Sequence, residues 1–357
     1  MRFGFSEDQE LLRQGLRRFL EAAFPPDRAR ELWREETGRS PELWSELTRI
    51  GLPGLLVPEA HGGLGLDEID LVQLLEETGY AALAEPVIST AAVAAPLLRD
   101  LGDAQLSGLW LERIAAGSAV VAVGHEVNRF VSDAHVADLL LLPGADGESL
   151  HALTRGHVRV TPQPCNDPSR RIFSVSVEAS QQSCVARGER ARELLAWALD
   201  RGALACAAQQ LGICDRLIEM AVRYAGERRQ FGAPIGSFQA IKHALADRKV
   251  ALEYARPLVY RAAHSLARRE RTRSADVSMA KAAADEAACA AARSALQVHG
   301  ALGYTWEQDL HIWMRRAWSL AWAWGGAAWH RRRLAATLLD GQGSARSFGF
   351  VAGEALA

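Results

Sequence analysis

Residues 227–239 read ERRQFGAPIGSFQ, a charged corner holding glycine and proline between two long Ala/Leu-rich stretches. Upstream, 191–227 has the composition and apolar spacing of one continuous helix, and 238–269 has that of a second. Gly232, Pro234 and Gly236 break the pattern between them. Three residue types at this corner carry chemistry. Arg228 has the planar fork of donors that matches a phosphate. Phe231 offers a ring that packs on a nucleobase, and Gln230 and Gln239 offer amides for polar edges. The same letters also suit a plain charged helix end capped by Gly232, so both readings stand at this point.

A second corner lies at 297–307, QVHGALGYTWE, where a third predicted helix (275–299) ends. Its small residues, Gly300, Ala301 and Gly303, allow a ligand to approach the backbone closely and form a turn that could present amide groups to phosphate oxygens. A glycine-terminated helix followed by another helix is the alternative.

Working outward, residues 1–117 read as helical. Ser6 followed by Glu7, Asp8 and Glu10 supplies a capping side chain and negative charge at a helix start. Leu11, Leu12, Leu16, Phe19 and Leu20 then form one stripe. Further helices are expected over 41–50 and 66–80, separated by the Gly/Pro-rich loop 51–65. Residues 118–187 change character. AVVAVGHEV (119–127), ADLLLLPG (137–144), HVRVTP (157–162) and IFSVSVE (172–178) are short Val/Leu-rich runs bounded by turn formers, a length for about six strands. The expected architecture is α+β: an N-terminal helical domain (1–117), a small, shortened middle β domain (118–187), a C-terminal four-helix bundle domain (188–345) and a tail (346–357).

Composition narrows the function. Of 357 residues, 49% are apolar and 24% charged, and 41 Lys+Arg against 43 Asp+Glu leave a formal charge of −2. No basic field is available for nucleic acid or an anionic membrane. The five cysteines lack CxxC spacing, which argues for a reducing compartment and against a zinc site or disulfide framework. No run reaches the roughly 18 uncharged apolar residues of a membrane span, and 1–20 has no signal-peptide core. A cytoplasmic protein is expected.

Taken together and in this order, the two corners resemble the acyl-CoA dehydrogenases, whose C-terminal domain carries R-x-Q-F-G followed by Q-x-x-G-G-x-G-Y. The resemblance extends to FGFSEDQELLRQGLRRFL (3–20), to LPGLLVPEAHGGLGL (52–66) and to the helix–strand–helix order. It implies an FAD-dependent flavoprotein that removes two hydrogens from an acyl-CoA thioester, and an oxidoreductase acting on a CH–CH bond. In that family both corners reach the ADP half of an FAD held mainly by a neighbouring subunit. By resemblance Arg228 meets the pyrophosphate and Phe231 lies near the adenine. Gln230, Gln239, Gln297 and Gly300 bond the same half, and Ala301 replaces the family's second glycine.

The departures matter as much. The family's catalytic glutamate stands in a Tyr-Glu-Gly-Thr context, where this chain has Trp324 in WAWGGAA (322–328). The other place that some members use, on the helix before the first corner, is Gly202, and Ala203 replaces the arginine beside it. Asp200 does match a family acid. The T-E-P-x-x-G-S-D and W-I-T stretches that embrace the flavin ring are absent between 119 and 178. The pattern resembles the base-lacking, supporting subunit of actinobacterial α2β2 heterotetrameric dehydrogenases of lipid or steroid catabolism. It implies a homologous catalytic partner, an acyl-CoA bound mainly by that partner (a steroid side chain or another bulky acyl group, by analogy), and an electron-transferring flavoprotein as acceptor. No catalytic residue is assigned to this chain. Two alternatives remain: a self-sufficient dehydrogenase with a relocated acid at Glu307, Asp309 or Asp200, and a scaffold without redox chemistry.

Other conspicuous residues have plainer readings. Trp306, Trp313, Trp318, Trp322, Trp324 and Trp329 suit core and interface packing, with Trp324 alternatively plugging a vestigial acyl pocket. Arg315-Arg316 and Arg331-Arg332-Arg333 read as solvated helix faces. His299, His311 and His330 share no metal-ligand spacing, and Cys206 and Cys214 read as inert.

Overall fold

The computed structural model describes residues 4–177 and 183–339. The expected tail (346–357) and the last residues of the C-terminal region lie outside the described residues. The N-terminal part is built from α1 (Glu7–Ala23), α2 (Pro26–Arg34), α3 (Pro41–Arg49), α4 (Glu68–Tyr80), α5 (Ala95–Leu101) and α6 (Ala104–Ala115). Local chemistry sets their starts. Ser6 and Gln9 form a reciprocal capping box on α1, with bonds of 3.2 and 2.8 Å. Proline occupies the first turn of α2 and α3, where no amide partner is lost. Asp67 and Asp103 cap α4 and α6. Between α4 and α5 the buried segment Val87–Ala94 winds as a π-helix, a form that recurs at functional sites.

Seven strands follow: β1 (Val121–Val123), β2 (Val131–Ser132), β3 (Leu139–Pro143), β4 (Ser149–Thr154), β5 (Val158–Gln163), β6 (Ile172–Val177) and β7 (Cys184–Arg187). They make a four-stranded sheet in the order β1-β3-β4-β7 and a three-stranded sheet in the order β2-β6-β5. Only the β1–β3 pairing is parallel, with Val121 opposite Leu139. Ala122, Leu140 and Leu142 turn towards a small core of their own, whereas Val121, Leu139 and Leu141 join the main one. That is the two-sided burial their uninterrupted apolar runs require.

Helix α7 (Gly188–Glu227) then runs the length of the molecule. A short hairpin, β8 (Arg229–Gln230) and β9 (Ala233–Pro234), leads into α8 (Gln239–Ala267), which carries Pro257 within it. Helices α9 (Arg273–His299), α10 (Leu310–Leu320) and α11 (Ala327–Leu339) are the last helices of the described residues. Helices α7, α8 and α9 are the long members of the bundle, and the shorter α10 and α11 share its fourth side against α9. A Cβ on Gly79 would overlap the backbone of Gln209, and one on Gly212 would overlap that of Glu76. Helices α4 and α7 therefore cross backbone to backbone, which fixes the N-terminal layer against α7.

The strands are tied to both helical layers by arginines. Arg39 pairs with Asp133 and donates to the Ser169 carbonyl at 3.0 Å. Arg171 donates to the carbonyls of Trp33 and Glu35 at 3.1 and 2.9 Å. Arg316 pairs with Asp167 and donates to the Leu83 carbonyl at 2.6 Å. Arg316 is thus buried, not on the solvated face that the Arg-Arg run suggests, because the β5–β6 loop brings it a carboxylate. Among the described residues no helix is long and apolar enough to cross a membrane.

Candidate functional site

The first corner is a hairpin rather than a capped helix end. Helix α7 stops at Glu227, and the Arg228 amide donates to the Tyr224 carbonyl at 2.8 Å. Gln230 pairs with Ala233, leaving Phe231 and Gly232 as a two-residue turn, both with positive φ (53° and 80°). Such turns favour Asn-Gly, and a phenylalanine in the left-handed region is strained by about 1–2 kcal/mol. The strain holds the Phe231 ring out, 94% exposed, edge-on to Phe238 at 6.2 Å. Gly232 therefore serves the hairpin, not the helix cap.

The second corner abuts the first. Helix α9 ends at Gly300, whose φ of 59° and ψ of −140° suit glycine only, and a Cβ there would meet open space. The chain continues as a short 3-10 turn, Gly300–Tyr304. Tyr224, one turn before Arg228, stacks on His299, beside Gly300, with ring centroids 4.3 Å apart. The fold thereby brings together residues far apart in sequence. Arg228, Gln230, Phe231, Gln239, Gln297, Gly300 and Ala301 are all exposed. Among the described residues the Arg228 guanidinium makes no hydrogen bond or ion pair. A free guanidinium, an outward ring and a glycine turn with open space fit the phosphates and base of a nucleotide.

The second place of interest is the cleft between the strands, the π-helix, α7 and α10. Trp324 closes it. Its indole lies on Gly202, where a Cβ would overlap ring atoms Cδ2, Cε2 and Cε3. The two positions at which the resemblance looks for a glutamate are therefore in contact. Trp324 has a left-handed backbone (φ 56°) and is 5% exposed. Its amide donates to Asn128 Oδ1 at 2.7 Å, and its carbonyl accepts from His330 Nε2 at 2.8 Å. His125 packs at 5.9 Å between ring centroids. What remains of the cleft is a cavity of ≈ 60 Å³ lined by Arg39, Glu85, Ser89, Asp133, Arg170 and Trp324, among others. The residues present at the two corners fit the ADP half of FAD.

The relocated-acid candidates do not line this cleft. Asp200 is fully buried and accepts from Ser274 Oγ at 2.8 Å and Arg333 Nη1 at 2.7 Å. Asp309 pairs with Arg30 at the start of α10, and Glu307 is exposed in the preceding loop. The acids that do reach the cleft are Glu85 and Asp133, neither of which has a sequence motif to flag it. Burial holds the Glu85 carboxyl above its ordinary range, and Oε1 accepts from the Ser40 amide at 3.0 Å. Arg39 is driven down to about 10 by burial, and its Nε has no partner among the described residues.

The tryptophans divide. Trp313 and Trp324 are core, but Trp306 and Trp322 are exposed, 63% and 80%. Arg333 turns inward to Asp200, while Arg331 pairs with exposed Glu286. Burial pushes the Cys206 and Cys214 thiols up to about 11 and 12, which keeps them inert at neutral pH. Among the described residues no cluster of three or more metal-ligating side chains occurs.

His330 yields a pH prediction. The Trp324 carbonyl only accepts, so Nε2 carries the proton, and Nδ1 faces the Ser278 hydroxyl at 3.2 Å. Burial then pushes the imidazole down to about 3. An unfolded histidine titrates near 6.5, so on acidification the unfolded chain takes up this proton first. The stability contributed by neutral His330 is intact above pH 6.5 and is lost from 6.5 towards 3, by up to about 1.4 kcal/mol per unit. His330→Gln, which keeps a donor for Trp324, is expected to lose less stability than wild type between pH 7 and 5 in urea melts. Equal losses would remove His330 from the acid response.

Comparison with known proteins follows the same outline. The family model for the acyl-CoA dehydrogenase N-terminal domain matches residues 6–118, and that for the C-terminal domain matches 192–339. Acyl-CoA dehydrogenase IpdE2 of Mycolicibacterium smegmatis is 33% identical over 332 residues, covering 93% of this chain and 99% of the relative. Among solved structures, a chain of the ChsE4-ChsE5 complex from Mycobacterium tuberculosis superposes with a TM-score of 0.84 at 25% identity, covering 95% of this chain and 99% of that one. A chain of the Tcur3481-Tcur3483 steroid ACAD G363A variant gives 0.85 at 25% identity, with coverage of 95% and 99%. With both terminal regions matched and a relative 33% identical across nearly the whole chain, this chain belongs to the acyl-CoA dehydrogenase family.

Proposed function

We propose that this chain is the supporting subunit of a heteromeric FAD-dependent acyl-CoA dehydrogenase. It lends a homologous, base-bearing partner the contacts to the ADP half of FAD, and has no glutamate at either family position. One contrast carries the reading: the first corner is exposed and its Arg228 guanidinium has no hydrogen bond or ion pair among the described residues, while at the family's glutamate positions the Trp324 indole lies on Gly202. An indole cannot take up an α-proton, so a base must come from elsewhere.

FAD, when bound, accepts the hydrogen removed from the β-carbon of the acyl thioester. The roles of this chain are to bind and orient. Arg228 would neutralise pyrophosphate charge, with Gln230, Gln239 and Gln297 on polar edges and Phe231 on the adenine. Such fixed contacts keep a cofactor in register for the partner's chemistry. The acyl group is bound mainly by the partner. A bulky or steroid-derived thioester is supported by the similarity to the Tcur3481-Tcur3483 steroid ACAD, and an electron-transferring flavoprotein would take the electrons onward.

The test is flavin stoichiometry. The chain is purified alone and after co-expression with a complete homologous dehydrogenase, and flavin absorbance is compared with protein concentration. Little flavin in the lone chain and half-molar flavin in the complex are expected. Equimolar flavin in an active lone chain would overturn the reading and bring forward Glu85, the buried acid in the cleft whose pKa is raised, as its own base.

A further inference from the structure

Two corners that close on one nucleotide must keep a fixed spacing, yet they sit at the ends of different helices. Corner one hangs on Tyr224: its carbonyl takes the Arg228 amide at 2.8 Å, and the Ile235 amide closes the hairpin back onto the Arg228 carbonyl at 2.8 Å. The turn after the hairpin rests on the same helix end, for a Cβ on Gly236 would lie 3.0 Å from the Ala225 carbonyl oxygen. Corner two rests on His299: a Cβ on Gly303 would lie 3.0 Å from His299 Cβ. His299 is itself fixed, buried, with Nδ1 donating to the Ala295 carbonyl at 2.8 Å. The two anchors meet face to face, with an interplanar angle of 22° and centroids 4.3 Å apart.

We infer that the Tyr224–His299 stack is a clasp that holds the Arg228 hairpin and the Gly300 turn at the spacing one nucleotide needs, so that Tyr224 and His299 are positioning residues for FAD. The inference rests on the proposed cofactor role of the two corners. The stack is one contact in a helix pair, α7 and α9, that packs along most of its length. Its loss should therefore disturb the corners and spare the bundle. The Tyr224 hydroxyl has no hydrogen-bond partner among the described residues, so the ring is the working part.

The experiment uses the assembled complex. Release of FAD after dilution is followed by the rise of free-flavin fluorescence, and assembly and melting temperature are measured on the same samples. Tyr224→Leu is expected to speed release by up to about tenfold, the most that loss of one aromatic stack would give, with the complex still assembled and its melting temperature within a few degrees of wild type. Tyr224→Phe, which keeps the stack, is expected to restore slow release. Unchanged release in Tyr224→Leu, alongside faster release in Arg228→Ala, would overturn the clasp and leave the cofactor reading standing. Unchanged release in Arg228→Ala would instead strike the cofactor reading. Equal acceleration by Tyr224→Phe and Tyr224→Leu would also overturn the clasp, since it would assign the effect to the hydroxyl. If Tyr224→Leu fails to assemble, His299→Leu decides by the same rate from the opposite side of the stack.

Discussion

A complex carrying Arg228→Ala is expected to bind FAD roughly 10- to 100-fold more weakly than wild type, with its melting temperature unmoved in the absence of FAD. The size follows from the type of contact: a charge-assisted bond to a phosphate contributes about 1.5–3 kcal/mol, and each 1.4 kcal/mol is tenfold in affinity. The unmoved melting temperature follows from exposure. The guanidinium touches no internal partner, and surface changes of that kind stay within about 0.5 kcal/mol. Arg228→Lys is expected to fall between, since an ammonium keeps the charge and loses the paired donors. Titration of flavin-stripped complex with FAD, read by quenching of flavin fluorescence, measures all three proteins. Wild-type affinity in Arg228→Ala would remove the corner from the cofactor site.

Much of this layout was legible in the letters. The long apolar spacing gave α7, α8 and α9 to within a few residues, and Ser6 with its acidic neighbours marked the start of α1. The two corners are tied to a nucleotide by their resemblance to the acyl-CoA dehydrogenase motifs; taken singly, each reads just as readily as a glycine-terminated helix end. What stayed hidden depends on contacts between distant segments. Gln230-Phe231-Gly232 looks like a helix end because a phenylalanine in a left-handed turn is disfavoured by local energetics; it is a hairpin because β8 and β9 pair across it. Arg316 looks solvated until the β5–β6 loop supplies Asp167. Glu85 is unremarkable in sequence and becomes a buried acid only when α3 and the cleft enclose it. Trp306 and Trp322 count as apolar in any stripe, yet both face outward. The contact of Trp324 with Gly202 joins the end of the chain to the middle of α7, beyond the reach of spacing arguments.

That contact makes the two departures from the family pattern a single event. With the indole on Gly202, no side chain of any kind fits at 202, and a glutamate there could not be restored without first removing Trp324. The expected result is a thermodynamic cycle with a change of sign. Gly202→Ala in wild type meets a buried ring packed on His125, on a backbone held by Asn128 and His330. Overpacking of this kind costs about 1–3 kcal/mol, set against the roughly 1 kcal/mol an alanine contributes within a helix. Trp324→Gly alone removes the buried indole, a loss of about 3–5 kcal/mol, eased slightly because glycine accepts the left-handed backbone. In the Trp324→Gly background the obstruction is gone, and Gly202→Ala should become stabilising by up to about 1 kcal/mol. The two substitutions thus couple by about 1–3 kcal/mol, within the range for residues in direct contact. Urea melts of the four proteins measure the cycle, and simple additivity would show that the indole does not fill the place where a base would stand.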